Sequence, residues 1–293
     1  MVEHVIGNDE VSGSIPDIGS VRYWKQAFSI YKEKIAVIFS LGFLVFIIGV
    51  FQLLSIEVHS SLLFMSSVLS GVVVSYIVYI AMILAIASSE NKTFGAPLEE
   101  TQPKVLPAVW VSALMVLAVS GGVLLLFVPG ILVLGFFIFS LMANVVDGYK
   151  KHEALFQSWL LVRGRWLQVF WQFIIANLLI GLIGAGVYFF FWLFGVAEND
   201  FQKSLVNQAI SNFFVVPMSV AYTFAFYKGL KSSAMPAPSE TERQKFMSRL
   251  HVLVGVGAAF IVFGIFILGF FMVHFLPDVV GFTHAPAAAF EAL

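Results

Sequence analysis

Cysteine is absent from this chain of 293 residues, and charge is scarce, at 11% of positions. The first absence excludes disulfides and thiolate metal sites. The second excludes an ordinary water-soluble domain, which carries roughly 25% charged residues. A third absence is positional. Asp, Glu, Lys and Arg are all missing from 35–56, 58–89, 105–146, 166–197, 204–227 and 250–277. Hydrophobic residues make up 60% of the chain, so lipid must cover much of it. The first twenty residues, MVEHVIGNDEVSGSIPDIGS, have no apolar core. They are expected to form a disordered leader over 1–19 and not a cleavable signal.

Five of the uncharged windows fit one membrane span of about 20 residues each. The window 105–146 is twice as long. As one helix it would rise about 63 Å, twice the hydrocarbon thickness. Pro129 and Gly130 lie near its middle. Proline lacks an amide donor and glycine tolerates turn conformations, so the pair is expected to be a structural turn between two spans. The resulting expectation is an all-α, polytopic bundle of about seven spans: 35–55, 64–87, 105–128, 131–146, 166–195, 204–227 and 250–276. A core over 20–230 is joined by a cytoplasmic linker, 231–249, to an additional C-terminal helix and an external tail, 277–293.

The basic residues fit this threading. Fifteen of the sixteen fall on one side, from Arg22 through Arg249, and only Lys203 falls on the other. The positive-inside rule then puts the N-terminus in the cytoplasm and the C-terminus outside. Two cytoplasmic stretches, near 20–34 and 150–165, are amphipathic. Trp24, Phe28, Tyr31 and Ile35 recur at helical spacing in the first, and Leu155, Trp159 and Val162 in the second. Such helices lie in the headgroup plane or extend the following span, and the sequence leaves both open. KEKIAVIF (32–39) matches RGRWLQVF (163–170), and APLEET (96–101) matches APSETE (237–242). These pairs point to a parallel duplication of roughly 20–146 and 150–276.

Catalytic constellations are missing from this reading. Asp147 is the carboxylate nearest a span, and reads as a helix-end residue. His251 and His274 are 23 residues apart, about 35 Å along a helix, too far to share a metal. HEALF (152–156) has Phe156 where a zinc-protease helix needs its second histidine. No metal, cofactor or nucleic-acid partner is expected. Within the spans, Ser67, Gly71 and Ser75 form a small-residue stripe. Gln168, Gln172, Asn207, Ser211, Ser219 and Thr223 are polar, and Pro217 accompanies them. Gln172, Asn207 and Ser211 mark a candidate polar path; inter-helix hydrogen bonding is the simpler role for the polar set. Lys150, Lys151, Arg163 and Arg165, beside Trp159 and Trp166, are candidates for lipid-phosphate contact.

Over about 90–195 the chain resembles bacterial multi-pass proteins of the glycerophosphodiester phosphodiesterase membrane-domain type. The resemblance rests on Pro129, Gly130, Asp147, Gly148, Ala154, Leu155, Ser158, Leu161, Val162, Gly164 and Arg165. The family often has Glu at the position of Asp147. In some members a soluble domain performs hydrolysis. The acidic and histidine ligands for that chemistry are absent here, so no hydrolysis is expected. The lack of a catalytic constellation and the basic interfacial segments lead to the expectation of a non-enzymatic inner-membrane protein. Its expected partners are membrane lipids, with a membrane-protein partner or a second copy of the chain as further candidates. A small-molecule or lipid transporter built from two parallel halves is the alternative.

Overall fold

The computed structural model describes residues 20–58, 61–88, 93–125, 127–196, 198–233 and 239–281. The expected leader and the end of the tail lie outside them. Every regular element among the described residues is helical. They are α1 (Ser20–Glu33), α2 (Ile35–Glu57), α3 (Ser61–Ala87), α4 (Gly95–Leu125), α5 (Phe127–Phe137), α6 (Ser140–Val145), α7 (His152–Val162), α8 (Trp166–Leu193), α9 (Asp200–Ile210), a π-helical segment (Ser211–Val215), α10 (Val216–Ser232) and α11 (Glu240–Gly281). Six helices are long and apolar enough to cross a membrane. Large side chains such as Leu62, Leu69, Leu178, Phe263 and Phe266 are exposed along them. Exposed to water, a surface that apolar would drive association; hydrocarbon solvates it at no cost. The chain is therefore an all-α membrane bundle.

The remaining expected span, 131–146, is a broken helix, α5 followed by α6. From Phe127 to Val145 it rises about 28 Å. Lys104 Nζ, near the start of α4, donates to the Val145 carbonyl at 2.8 Å. The long uncharged window therefore runs out and returns to the level where it began. The turn lies earlier than Pro129–Gly130. α4 ends at Leu125 and α5 has begun by Phe127, which puts Pro129 in the first turn of a helix, where its missing N–H is harmless. Gly130 serves close approach and not turn conformation: a Cβ there would sit 2.8 Å from Val123 Cα on the facing helix. The expected linker 231–249 is also revised. From Glu240 onward it is the first part of α11, continuous with the last span.

Two compact units are built from interleaved parts of the chain. One contains residues up to Gln102 and Phe170–Met235; the other contains Pro103–Val169 and residues from Pro236 onward.

In the first unit, α1 runs antiparallel along α10. Tyr23 packs on Phe226 and Trp24 on Tyr222, with ring centroids 5.1 and 5.0 Å apart. Gly229 leaves room for the Tyr23 ring. The buried residues of α1 are Tyr23 and Ala27, with Lys34 buried just after it, while Phe28 and Ile35 of the expected apolar face are exposed. Protein covers one side of this helix, which leads through Lys34 directly into α2.

In the second unit, Ser158 on α7 is fully buried against the break between α5 and α6. Its Oγ accepts from Phe139 N–H at 3.1 Å and donates to the Phe136 carbonyl at 2.7 Å. A broken helix in an apolar layer needs its freed backbone groups satisfied from elsewhere; one serine supplies both partners. Gly148, at φ +77°, ends the helical run after α6.

The same unit holds a reciprocal crossing. Gly121 on α4 faces Gly257 on α11. A Cβ on Gly121 would strike the Leu253 carbonyl, and one on Gly257 the Leu117 carbonyl. Each glycine thus meets the residue four before its counterpart, within LAVSG (117–121) and LVGVG (253–257). This is the pattern of two parallel helices related by a two-fold axis and joined through small residues.

Candidate functional site

In the first unit a group of polar side chains gathers between α2, α3 and the π segment. Glycines make room for them. Gly71 on α3 accommodates the Gln52 amide, and Gly49 on α2 accommodates the Gln208 amide; a Cβ at either position would overlap these groups. Gln52 Nε2 donates to the Ser67 carbonyl at 3.0 Å, and Ser55 Oγ lies 3.4 Å from Ser67 Oγ. The expected Ser67–Gly71–Ser75 stripe is therefore divided. Its first two members pack against α2, and Ser75 is exposed.

Pro217 explains the π segment. It has no N–H to offer the carbonyl of Phe213, four residues earlier. The Tyr31 hydroxyl of α1 donates to that carbonyl instead, at 2.6 Å. The neighbouring Asn212 carbonyl points at Gly42 of α2, where a Cβ would be 2.7 Å away. Phe213 stacks on Phe39, with centroids 5.1 Å apart. Helix α2 thus holds the distorted turn in place.

A cleft of about 610 Å³ opens beside these contacts. Gly42 and Gln52 of α2, Ser75, Tyr76 and Tyr79 of α3, and Asn212 contribute to its walls. Val45, Val72 and Met82 supply apolar surface, and no charged residue lines it. Close by, Gln208 Oε1 is buried without a hydrogen-bond donor among the described residues. Neutral donors and acceptors on apolar walls suit an uncharged molecule with a hydroxyl, ester or amide and a hydrocarbon part.

The residues predicted from sequence have other positions. The cleft takes Asn212, next to Ser211, and none of Gln172, Asn207 and Ser211 lines it. Asn207 is exposed. Ser219 and Thr223 are structural: Ser219 Oγ donates to Asn177 Oδ1 at 2.7 Å, and Thr223 Oγ1 to the Ser219 carbonyl at 2.7 Å. Asp147 lies in the turn after α6, half-buried. The signal for the cleft was present in Gly42 and Gln52 of span one. It escaped the sequence reading because isolated glycines and glutamines in apolar runs carry no periodicity.

At the basic end of the second unit, α7 and the start of α11 are joined by paired side chains. Arg163 meets Glu242 at 2.7 Å and stands 5.1 Å over the Trp159 ring. The hydrogen bond from Arg163 holds the Glu242 carboxyl below its usual range and raises the Arg163 guanidinium. Arg243 pairs with Glu153 at 3.0 Å. Phe246 packs between Phe156 and Trp159, both 5.1 Å away. Of the four candidate lipid-phosphate residues, Arg163 is thus held by protein, and Arg165 Nε donates to the Leu161 carbonyl at 3.3 Å. Lys150 and Lys151 are exposed. Lys151 adopts φ +51°, a conformation costly for a side chain with a Cβ. No group of three or more His, Asp or Glu among the described residues is placed to hold a metal.

Comparison with protein-family models, curated proteins and solved structures gave no match. The resemblance over 90–195 therefore rests on its motif residues alone.

Proposed function

We propose that the chain is a non-enzymatic protein of the bacterial cytoplasmic membrane that binds an uncharged amphiphilic lipid in the cleft between α2, α3 and the π segment. The observation that carries this reading is the cleft itself, about 610 Å³, free of charged side chains and edged by the amides of Gln52 and Asn212. Hydrocarbon walls hold the tail, and the amides and the Tyr76 and Tyr79 hydroxyls meet the polar part. In this reading Lys150 and Lys151 contact anionic headgroups, which attract basic residues at a membrane surface. The sorting of basic residues puts the N-terminus in the cytoplasm and the C-terminus outside.

The test is mass spectrometry of lipids retained by the purified protein. Ser75→Phe and Asn212→Leu, which fill the cleft or remove its amide, are expected to deplete one uncharged lipid class selectively. An unchanged lipid profile in both variants would overturn the reading.

One observation favours transport of the same ligand. Five π-helical residues interrupt the α9–α10 span beside the cleft. Such segments recur at functional sites and give a helix a place to bend. Reconstituted vesicles carrying a fluorescent neutral lipid then report movement between leaflets. No acceleration over protein-free vesicles would eliminate transport and leave binding intact.

A further inference from the structure

The second unit contains two histidines that neither the cleft nor the membrane anchoring uses. His152 opens α7 and His251 lies on α11, and their ring centroids are 5.3 Å apart. A metal-bound imidazole has its centroid about 3.2 Å from the metal, given a bond of about 2.0 Å. Two such rings at about 110–120° have centroids about 5.2–5.5 Å apart. The observed spacing matches.

A third donor shares the face of His251. Arg243, Met247 and His251 follow one another at four-residue steps on α11 and line one groove. The two ends of that stripe touch α7, Arg243 at Glu153 and His251 at His152. Met247 lies between them.

The surroundings select the ion. Arg243 occupies the nearby carboxylates, reaching Glu153 at 3.0 Å and Glu240 at 3.6 Å. The remaining donors, two imidazoles and a thioether, are all neutral. Lys151 precedes His152 directly and adds positive charge. A thioether among neutral donors, with no carboxylate left free beside them, favours a soft monovalent ion.

We propose that His152, Met247 and His251 form a binding site for Cu(I), clamping the start of α11 to α7.

The full chain in detergent is titrated with Cu(I) under reducing conditions against a chromophoric Cu(I) competitor. His4, His59, His274 and His284 are replaced by alanine in all samples to remove background ligands. One bound equivalent is expected. Met247→Leu, which keeps the volume, and His152→Gln are each expected to weaken binding by about tenfold or more. X-ray absorption of the loaded protein is expected to show one sulfur neighbour. Absence of binding overturns the proposal, as does binding unchanged in both variants. Zn²⁺ binding tighter than Cu(I), with no effect of Met247→Leu, overturns the thioether and the choice of ion. Unaltered thermal unfolding of the metal-free variants separates lost binding from lost folding.

Discussion

The hydroxyl of Tyr31 donates to the carbonyl of Phe213 at 2.6 Å, the carbonyl left without its helical partner by Pro217. One residue of α1 thus completes a helix 182 positions away. Tyr31→Phe keeps the ring and deletes the donor. The expected cost is about 1 kcal/mol, the usual net worth of a hydrogen bond, since this one is part-buried. Unfolding of the purified protein in mixed detergent measures it. Loss of stability should be accompanied by weaker lipid retention, because the π segment forms a wall of the cleft.

Gly121 and Gly257 should be equally intolerant of a methyl group. A Cβ on either strikes a backbone carbonyl of the other helix, Leu253 or Leu117, and backbone cannot swing aside. Each alanine variant should therefore separate α4 from α11 and lower stability by about 1–3 kcal/mol, the usual range for overpacking. The double variant should cost less than the sum, because both changes act on one crossing. Additive losses would show that the glycines act independently.

Ser158→Ala removes both hydrogen bonds across the α5–α6 break. The expected loss is about 1–3 kcal/mol for each buried group left unpaired. Ser158→Cys, of similar size but a weaker hydrogen-bonding group, should fall between alanine and wild type. Proteolysis between Phe137 and Ser140 reports opening at the break. Stability indistinguishable from wild type in Ser158→Ala would mean that water or another group serves the break.

Acid should loosen α11 from α7. His152 has a folded-state value below its unfolded one, caused by burial, His251 and Lys151. For a base shifted downward, the folded form binds its proton less well than the unfolded form. The contact is therefore at full strength above the ordinary histidine value of about 6.5 and weakens as pH falls through and below it. Unfolding midpoints measured from pH 7.5 to 5.5 should decline, and His152→Gln should flatten the decline. Glu242 acts in the same direction but lower on the pH scale: held low by Arg163, it contributes stability above the carboxylate range and loses it only as pH falls through that range.

Some of this architecture was legible in residue order. Charge-free windows locate α2, α3, α4, α8, α9–α10 and α11, because burying an unpaired charge in hydrocarbon is expensive wherever it falls. The doubled length of 105–146 predicts a return, which the Lys104–Val145 contact realises. The position of the turn was missed by a few residues. Proline and glycine signal a turn in water, yet each has a second use: Pro129 in a first helical turn, Gly130 at a close crossing. The apolar face of α1 was also displaced. Trp24 meets α10 and Tyr31 the π segment, while Phe28 and Ile35 face outward. In a membrane protein apolar side chains are stable on either side of a helix, so hydrophobic periodicity loses its power to say which side is inside.

Composition and charge order determined that the chain is helical, that it crosses a membrane and where its spans lie, because each of those is a transfer free energy summed along one segment. Only the tertiary structure decided where the polar groups meet. Gln52 beside Gly71, Tyr31 on the Phe213 carbonyl, Ser158 at the α5–α6 break and His152 against His251 are all pairings between separate segments. Each depends on close approach of backbones and on hydrogen bonds of fixed geometry, and neither has a period that one strand of sequence can display.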